Sequence, residues 1–179
     1  MDAERRREVF RGRIIDLGIE TVVLPNGRVT ELEIIRHPGG AAAVALDGEG
    51  RACLLRQYRH AADGWLWELP AGKIDPGEDP FSTARRELIE EAGVEAHAWS
   101  ELGQMHSSPG VLTERIFLYL GRDLRPAVVD HEPHEVIEVH WVPFEQALAW
   151  CHDGTITDAK TLIGLFRAAL VLGGRVGSG

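Results

Sequence analysis

One stretch of this chain, Gly72 to Val94 with the sequence GKIDPGEDPFSTARRELIEEAGV, constrains the fold more than any other. It carries the signals of a helix that starts and stops at fixed places. Asp79 and Pro80 have the character of an N-cap and a first helical residue; the former can accept from free backbone N–H groups and the latter needs no donor of its own. Ala84 to Leu88 are mostly good helix formers, and Gly93 stands where a left-handed residue ends a helix. The pattern predicts a helix from about Pro80 to Ala92. On it Glu87, Glu90 and Glu91 fall at i, i+3 and i+4, which puts their carboxylates on one face within reach of a common point. Like charges so close repel unless a cation lies between them or one carboxyl takes up a proton. Oxygen donors of this kind suit Mg²⁺ or Mn²⁺, ions that keep several waters and also grip phosphate oxygens. The bland alternative is a solvated acidic face, but Gly72, Glu78 and Arg86 stand in fixed register with these glutamates.

That register is Gly72, then Glu78 after five residues, then Arg86-Glu87-Leu88-Ile89-Glu90-Glu91-Ala92-Gly93-Val94 after seven more. At each constrained position it resembles the Nudix box, the signature of hydrolases that act on nucleoside diphosphates linked to another moiety. The resemblance implies a metal-dependent pyrophosphatase. It makes Glu87 and Glu91 the principal metal ligands, Glu90 an auxiliary one and the Ala71 carbonyl a backbone ligand, with Arg86 orienting the glutamates by a charge-assisted fork.

Outside the box, Gln57-Tyr58-Arg59, Trp67-Glu68-Leu69-Pro70-Ala71-Gly72 and Thr113-Glu114-Arg115 each resemble the corresponding piece of ADP-ribose pyrophosphatases. Pro109, sixteen residues beyond Gly93, stands where that branch carries its marker proline, although Pro109-Gly110 also reads simply as a turn. The likeness runs from about Ile34 to Ala168. It implies that Arg59 holds the substrate phosphates and Glu114 lies against the terminal ribose. More weakly, it implies that Arg36 reaches across a dimer, the alternative being an exposed strand charge. One departure is that no aromatic occurs from Val22 to Ile35, where an adenine-stacking residue is often found.

The resemblance also places the catalytic base on a loop ahead of a strand. Here Asp130-His131-Glu132-Pro133-His134-Glu135 precedes a strand-like run. Glu135 matches best by its distance from that run, Glu132 second, and Glu138, expected to face outward, third. His131 and His134 read as solvated loop histidines, because no cysteine or further histidine is placed to complete a zinc site. The implied reaction is Mg²⁺-dependent hydrolysis of ADP-ribose to AMP and ribose 5-phosphate. Another nucleotide sugar, such as GDP-mannose or ADP-glucose, is the nearest alternative. A sensor that binds ADP-ribose without cutting it is disfavoured by the intact glutamates.

The 179 residues, 44% hydrophobic, suffice for one domain with a sizeable core. Alternating apolar runs at Gly12 to Leu24 and Val29 to Ile35 flank an Asn26-Gly27 turn and read as a short antiparallel sheet. Ala41 to Leu46 and Ala52 to Tyr58 read as a central hairpin. Further strands are expected at Ala98 to Gln104, Arg115 to Leu120 and Ile137 to Val142, with helices at Phe144 to His152 and Asp158 to Leu172. The fold class is α/β, an α/β/α sandwich with a mixed sheet, which is also the Nudix fold the box implies. The expected organisation is N-terminal strands over 1–40 that serve dimerisation, a catalytic domain over 41–172 and a frayed tail over 173–179. Strands so isolated need a partner, and dimers are usual in the branch resembled, so a homodimer is expected.

A net charge of −9 leaves no basic surplus for a nucleic-acid backbone. No apolar run approaches a membrane span, and MDAERRREVF lacks an apolar signal core, so a soluble, cytoplasmic protein is expected. Cys53 and Cys151 are read as free thiols rather than a disulfide.

Overall fold

The computed structural model describes residues 5–129 and 136–173. The chain divides into two compact units, residues 1–39 with 106–115, and residues 40–105 with 116–179.

In the first unit β1 (Arg5–Arg11), β2 (Asp16–Val23) and β3 (Val29–Arg36) form an antiparallel sheet in the order β1-β2-β3. The Asn26-Gly27 turn joins β2 to β3, with Gly27 at φ 79° and its N–H donating to the Leu24 carbonyl. β2 begins later than expected, at Asp16, because Gly12 closes a turn by donating to the Ile15 carbonyl. The sequence pattern did not suggest β1, since RRREVFR has little apolar alternation. Charge holds it instead: Arg6 donates to Asp16 at 2.6 Å and to Glu20 at 3.1 Å. Glu20 is buried and also accepts from Arg36 at 2.9 Å. The hydrogen bond from Arg36 is the main reason its carboxyl sits below the usual range. Residues 111–113 run alongside β3, with Ile35 N–H donating to the Val111 carbonyl and Thr113 N–H to the Ile35 carbonyl.

The second unit is built around β4 (Gly40–Ala45), whose every residue is buried. Such a strand is covered on both faces, and its composition shows it: GAAAVA is continuously small and apolar rather than alternating. It pairs in parallel with β9 (Arg115–Pro126) and antiparallel with β7 (Ala71–Lys73), in a mixed sheet of order β7-β4-β9-β8, where β8 is Val94–His106. A second sheet has the order β10-β5-β6, from β10 (Ile137–Pro143), β5 (Arg51–Arg59) and β6 (Gly64–Glu68). The expected hairpin of Ala41 to Leu46 with Ala52 to Tyr58 is therefore corrected. Both edges of β4 are taken by β7 and β9, so β5 turns into the other sheet and only a Leu46–Ala52 bridge remains.

Among the described residues three α-helices complete this unit: α1 (Pro80–Ala92), α2 (Phe144–Asp153) and α3 (Ala159–Leu172). Ala42 and Val44 of β4 pack with Leu165 and Ala168 of α3 and Ala147 of α2. Ala43 and Ala45 pack instead with Leu88 and Ala92 of α1. Successive side chains of one strand thus serve opposite helical layers, the α/β/α arrangement expected from the sequence. Both cysteines are free, and burial pushes the Cys53 thiol up to about 12. No helix among the described residues is long and apolar enough to cross a membrane.

Candidate active site

α1 forms where its local signals direct. Asp79 accepts from the Phe81 and Ser82 N–H groups, Pro80 occupies the first turn, and Gly93 ends the helix at φ 66°. This fixes which side chains face the β7 strand ahead of it. Glu87 and Glu91 are buried on that side, while Glu90 is partly exposed.

Arg86 ties the carboxylates together. Its Nη1 donates to Glu87 at 2.8 Å and to Glu90 at 2.9 Å, and its Nε and Nη2 each donate to Glu78 at 3.1 Å. Nη2 also reaches the Lys73 carbonyl of β7. The fork from Glu78 comes first among the causes that raise the Arg86 pKa, opposed by burial and aided by the charge of Glu87. Reciprocally, the hydrogen bond from Arg86 holds the Glu78 carboxyl low. Glu91 is held separately: its Oε2 accepts from the Ala71 N–H at 2.7 Å. The chain comes this close because residue 72 has no side chain. A Cβ on Gly72 would overlap the Glu87 carboxylate.

Glu87, Glu90 and Glu91 share one face of α1, as their i, i+3, i+4 spacing requires. No group of three or more acidic, histidine or cysteine side chains among the described residues is gathered about one point. Arg86 Nη1 holds Glu87 and Glu90, and the Ala71 N–H donates to Glu91 Oε2. The donor chemistry still fits a hard divalent cation. Glu87, Glu90, Glu91 and the Ala71 carbonyl are all oxygen donors, with no thiolate or imidazole among them.

Arg59, at the end of β5, forks onto Glu68 at 2.7 and 2.8 Å. Glu68 is 2% exposed and also meets Lys160 of α3. Burial alone would raise the Glu68 carboxyl, but the Arg59 hydrogen bond and the charges of Lys160 and Arg59 outweigh it and bring the pKa down to about 2. The sequence reading named Glu68 only within a run and did not name Lys160. Lys160 stands in the first turn of α3, where a cation opposes the helix dipole, but the sequence carries no signal for the acid it meets.

Arg36, Pro109 and Glu114 belong to the first unit. Arg36 is half exposed beyond its bond to Glu20. Pro109 lies in a turn closed by Val111 and Leu112 N–H groups on the Ser108 carbonyl. Glu114 lies 3.2 Å from His37 Nδ1. Glu132 and Glu135 lie outside the described residues, as do His131 and His134. Glu138 on β10 is exposed beside Arg56 and His140.

Comparison with known proteins adds a family. A model of the NUDIX domain matches residues 36–163. The ADP-ribose pyrophosphatase of Bacillus subtilis (strain 168) is 36% identical over 158 residues, covering 87% of this chain and 85% of that one. A methanol dehydrogenase activator of Bacillus methanolicus is 35% identical over 161 residues, covering 89% and 87%. A solved structure described as an ADP compounds hydrolase superposes with a TM-score of 0.79 at 23% identity, over 96% of this chain and 95% of the other, which shows the shared fold.

The Glu68 site carries a pH signature. Its folded pKa of about 2 lies below the ordinary 4.5, so its charged form stabilises the fold above about pH 4.5 and that contribution fades as pH falls toward 2. The depression corresponds to about 3 kcal/mol. Urea unfolding of wild type and Glu68→Gln should show a stability gap at pH 7 that narrows markedly by pH 3. A gap of equal size at both pH values would contradict the charged, doubly held Glu68.

Proposed function

This chain belongs to the Nudix family, and on that premise we propose that it hydrolyses the pyrophosphate bond of ADP-ribose, giving AMP and ribose 5-phosphate with the help of Mg²⁺ or Mn²⁺. The observation that carries the reading is the arrangement on α1: Arg86 forked across Glu78, Glu87 and Glu90, with Glu91 drawn to the Ala71 backbone. A solvated acidic face has no reason to bury Glu87 against the backbone of Gly72 and Glu91 against the Ala71 N–H. ADP-ribose as substrate is supported by the Bacillus subtilis relative, by Arg59 in its Gln57-Tyr58-Arg59 run and by Pro109. Intact glutamates speak against a non-hydrolysing sensor. GDP-mannose or ADP-glucose in place of ADP-ribose is the second reading; the missing aromatic between Val22 and Ile35 loosens the selection for adenine and so favours a different base, as in GDP-mannose.

In this reading Glu87, Glu90, Glu91 and the Ala71 carbonyl hold the divalent cation, which supplies neutralisation of the pyrophosphate and acidification of water. Arg86 keeps the glutamates oriented. Arg59 holds phosphate oxygens, Glu114 lies against the terminal ribose, Pro109 belongs to the substrate-binding set as the marker proline of the branch, and Arg36 serves the site of a second subunit. Glu135 takes the proton of the attacking water, whose oxygen forms the new bond to phosphorus as the bond to the bridging oxygen breaks. Net acidity agrees with a small-molecule substrate rather than a nucleic-acid backbone, and the cytoplasm is the proposed location.

The test of the reaction is incubation with Mg²⁺ and a panel of ADP-ribose, ADP-glucose and GDP-mannose, followed by nucleotide analysis. ADP-ribose should yield AMP, and Glu91→Gln should lower kcat by at least about two orders of magnitude with the fold intact. Full turnover in that variant at saturating Mg²⁺ would contradict the metal site.

For the base, Glu135→Gln should reduce kcat strongly and leave KM near wild type, because the loss is confined to the transition state. Glu132→Gln and Glu138→Gln should cost far less. A crippled Glu132→Gln with an active Glu135→Gln would move the base to Glu132.

A homodimer is proposed from the first unit, where Val9, Phe10, Ile14, Val23 and Val29 are exposed on or beside a sheet of only three strands. Light scattering should give twice the chain mass at micromolar concentration; a monomer would remove both the dimer and the role of Arg36.

A further inference from the structure

The start of α3 is stitched to the end of β6 at two places and braced by its own N-cap. Thr161 Oγ1 accepts from the Leu69 N–H at 2.9 Å, both residues being fully buried. Asp158, the N-cap of α3, accepts from the Thr161 N–H at 3.0 Å and from its hydroxyl at 2.6 Å. Lys160 Nζ lies 2.5 Å from Glu68 Oε2 and 3.1 Å from Asp158 Oδ2. A cation in the first turn of a helix faces the positive end of the dipole. Lys160 is nonetheless held there, nearly buried, by two carboxylates.

The consequence falls on Arg59. Its Nε and Nη2 are bound by the two oxygens of Glu68, so the plane of the guanidinium is set by the orientation of that carboxylate. Nη1 makes no hydrogen bond among the described residues, and the side chain is 41% exposed. A guanidinium has five N–H groups, so those not directed at Glu68 remain for an anion. Glu68 is 2% exposed, so bulk solvent screens it little. Lys160 fixes its second side and shares its charge, leaving Arg59 with more of its own field than a private ion pair would allow.

We propose that Lys160, itself set by Asp158, is a positioning residue that holds Arg59 through Glu68 for the phosphates of the substrate. The inference rests on the reading that Arg59 binds the pyrophosphate of a nucleotide sugar. Lys160 touches neither the substrate nor the reacting atoms. Its effect passes through an orientation that matters equally in the ground and transition states.

The experiment is a double-mutant cycle on the full-length protein with ADP-ribose and Mg²⁺. Lys160→Met should raise KM about tenfold with kcat within about twofold of wild type, the pattern of lost uniform binding. Arg59→Lys keeps the charge but removes the fork, and should raise KM at least as much. In the double variant KM should match Arg59→Lys alone, since without a fork Lys160 has no orientation left to set. Lys160→Arg should recover most of the wild-type KM. If thermal melting shows Lys160→Met to be unfolded, Lys160→Gln, which retains an N–H for Glu68, takes its place in the cycle. A wild-type KM in the folded Lys160 variant, a wild-type KM in Arg59→Lys, or effects that multiply in the double variant would overturn the inference while leaving the reaction standing. A wild-type protein that releases no AMP from ADP-ribose would overturn the reading of the reaction, and this inference with it.

Discussion

The guanidinium of Arg86 is the tie on which the site depends. Four glutamates, Glu78, Glu87, Glu90 and Glu91, come from a short loop and one face of α1, and two of them are buried. Their mutual repulsion would splay the helix from the β7 strand or force a proton onto one of them. Arg86 answers three at once and adds a bond to the Lys73 carbonyl, while the Ala71 N–H answers the fourth. The place of each element follows from this. β7 must approach α1 closely, residue 72 must lack a side chain, and α1 must end at Gly93 so that the chain can turn into β8.

The same device recurs at Glu68. A carboxylate is buried, and cations from two different elements hold it, Arg59 from β5 and Lys160 from α3. Removing one partner of such a group leaves a charge without compensation and costs far more than a surface ion pair. Buried acids here orient arginines. The arrangement yields side chains whose direction is settled before any ligand arrives, which lowers the ordering cost of binding.

What the sequence disclosed and what it withheld divide along local and distant contacts. Helix α1 was legible to the residue, since Asp79, Pro80 and Gly93 are signals read from the chain itself. The likeness of the box named the residues on its face, and the comparisons show the same family over residues 36–163. Strand pairing was less legible. β4 and β5 are apolar runs separated by a turn, as in a hairpin, yet β9, from the far side of α1, holds the edge that β5 would have used. β1 was hidden because its pairing rests on Arg6 with Asp16 and Glu20, not on an apolar pattern. Lys160 and Glu68 stand 92 residues apart, and only the fold joins them. The spacing of Glu87, Glu90 and Glu91 did not reveal that one Arg86 nitrogen would bridge Glu87 and Glu90 while the Ala71 N–H takes Glu91, because helix geometry fixes where side chains start and not which partner takes them.

The central claim is that Arg86 orders the glutamates for a divalent cation and does not stand in its place. Mn²⁺ affinity, followed by electron paramagnetic resonance on the substrate-free wild type and on Arg86→Met, tests it directly. If Arg86 is an ordering group, its loss should weaken Mn²⁺ binding by about 10- to 100-fold, as loss of a group that orients metal ligands does. Equal or tighter binding in Arg86→Met would show the guanidinium to be a competitor for the glutamates, and the account of the site would fail.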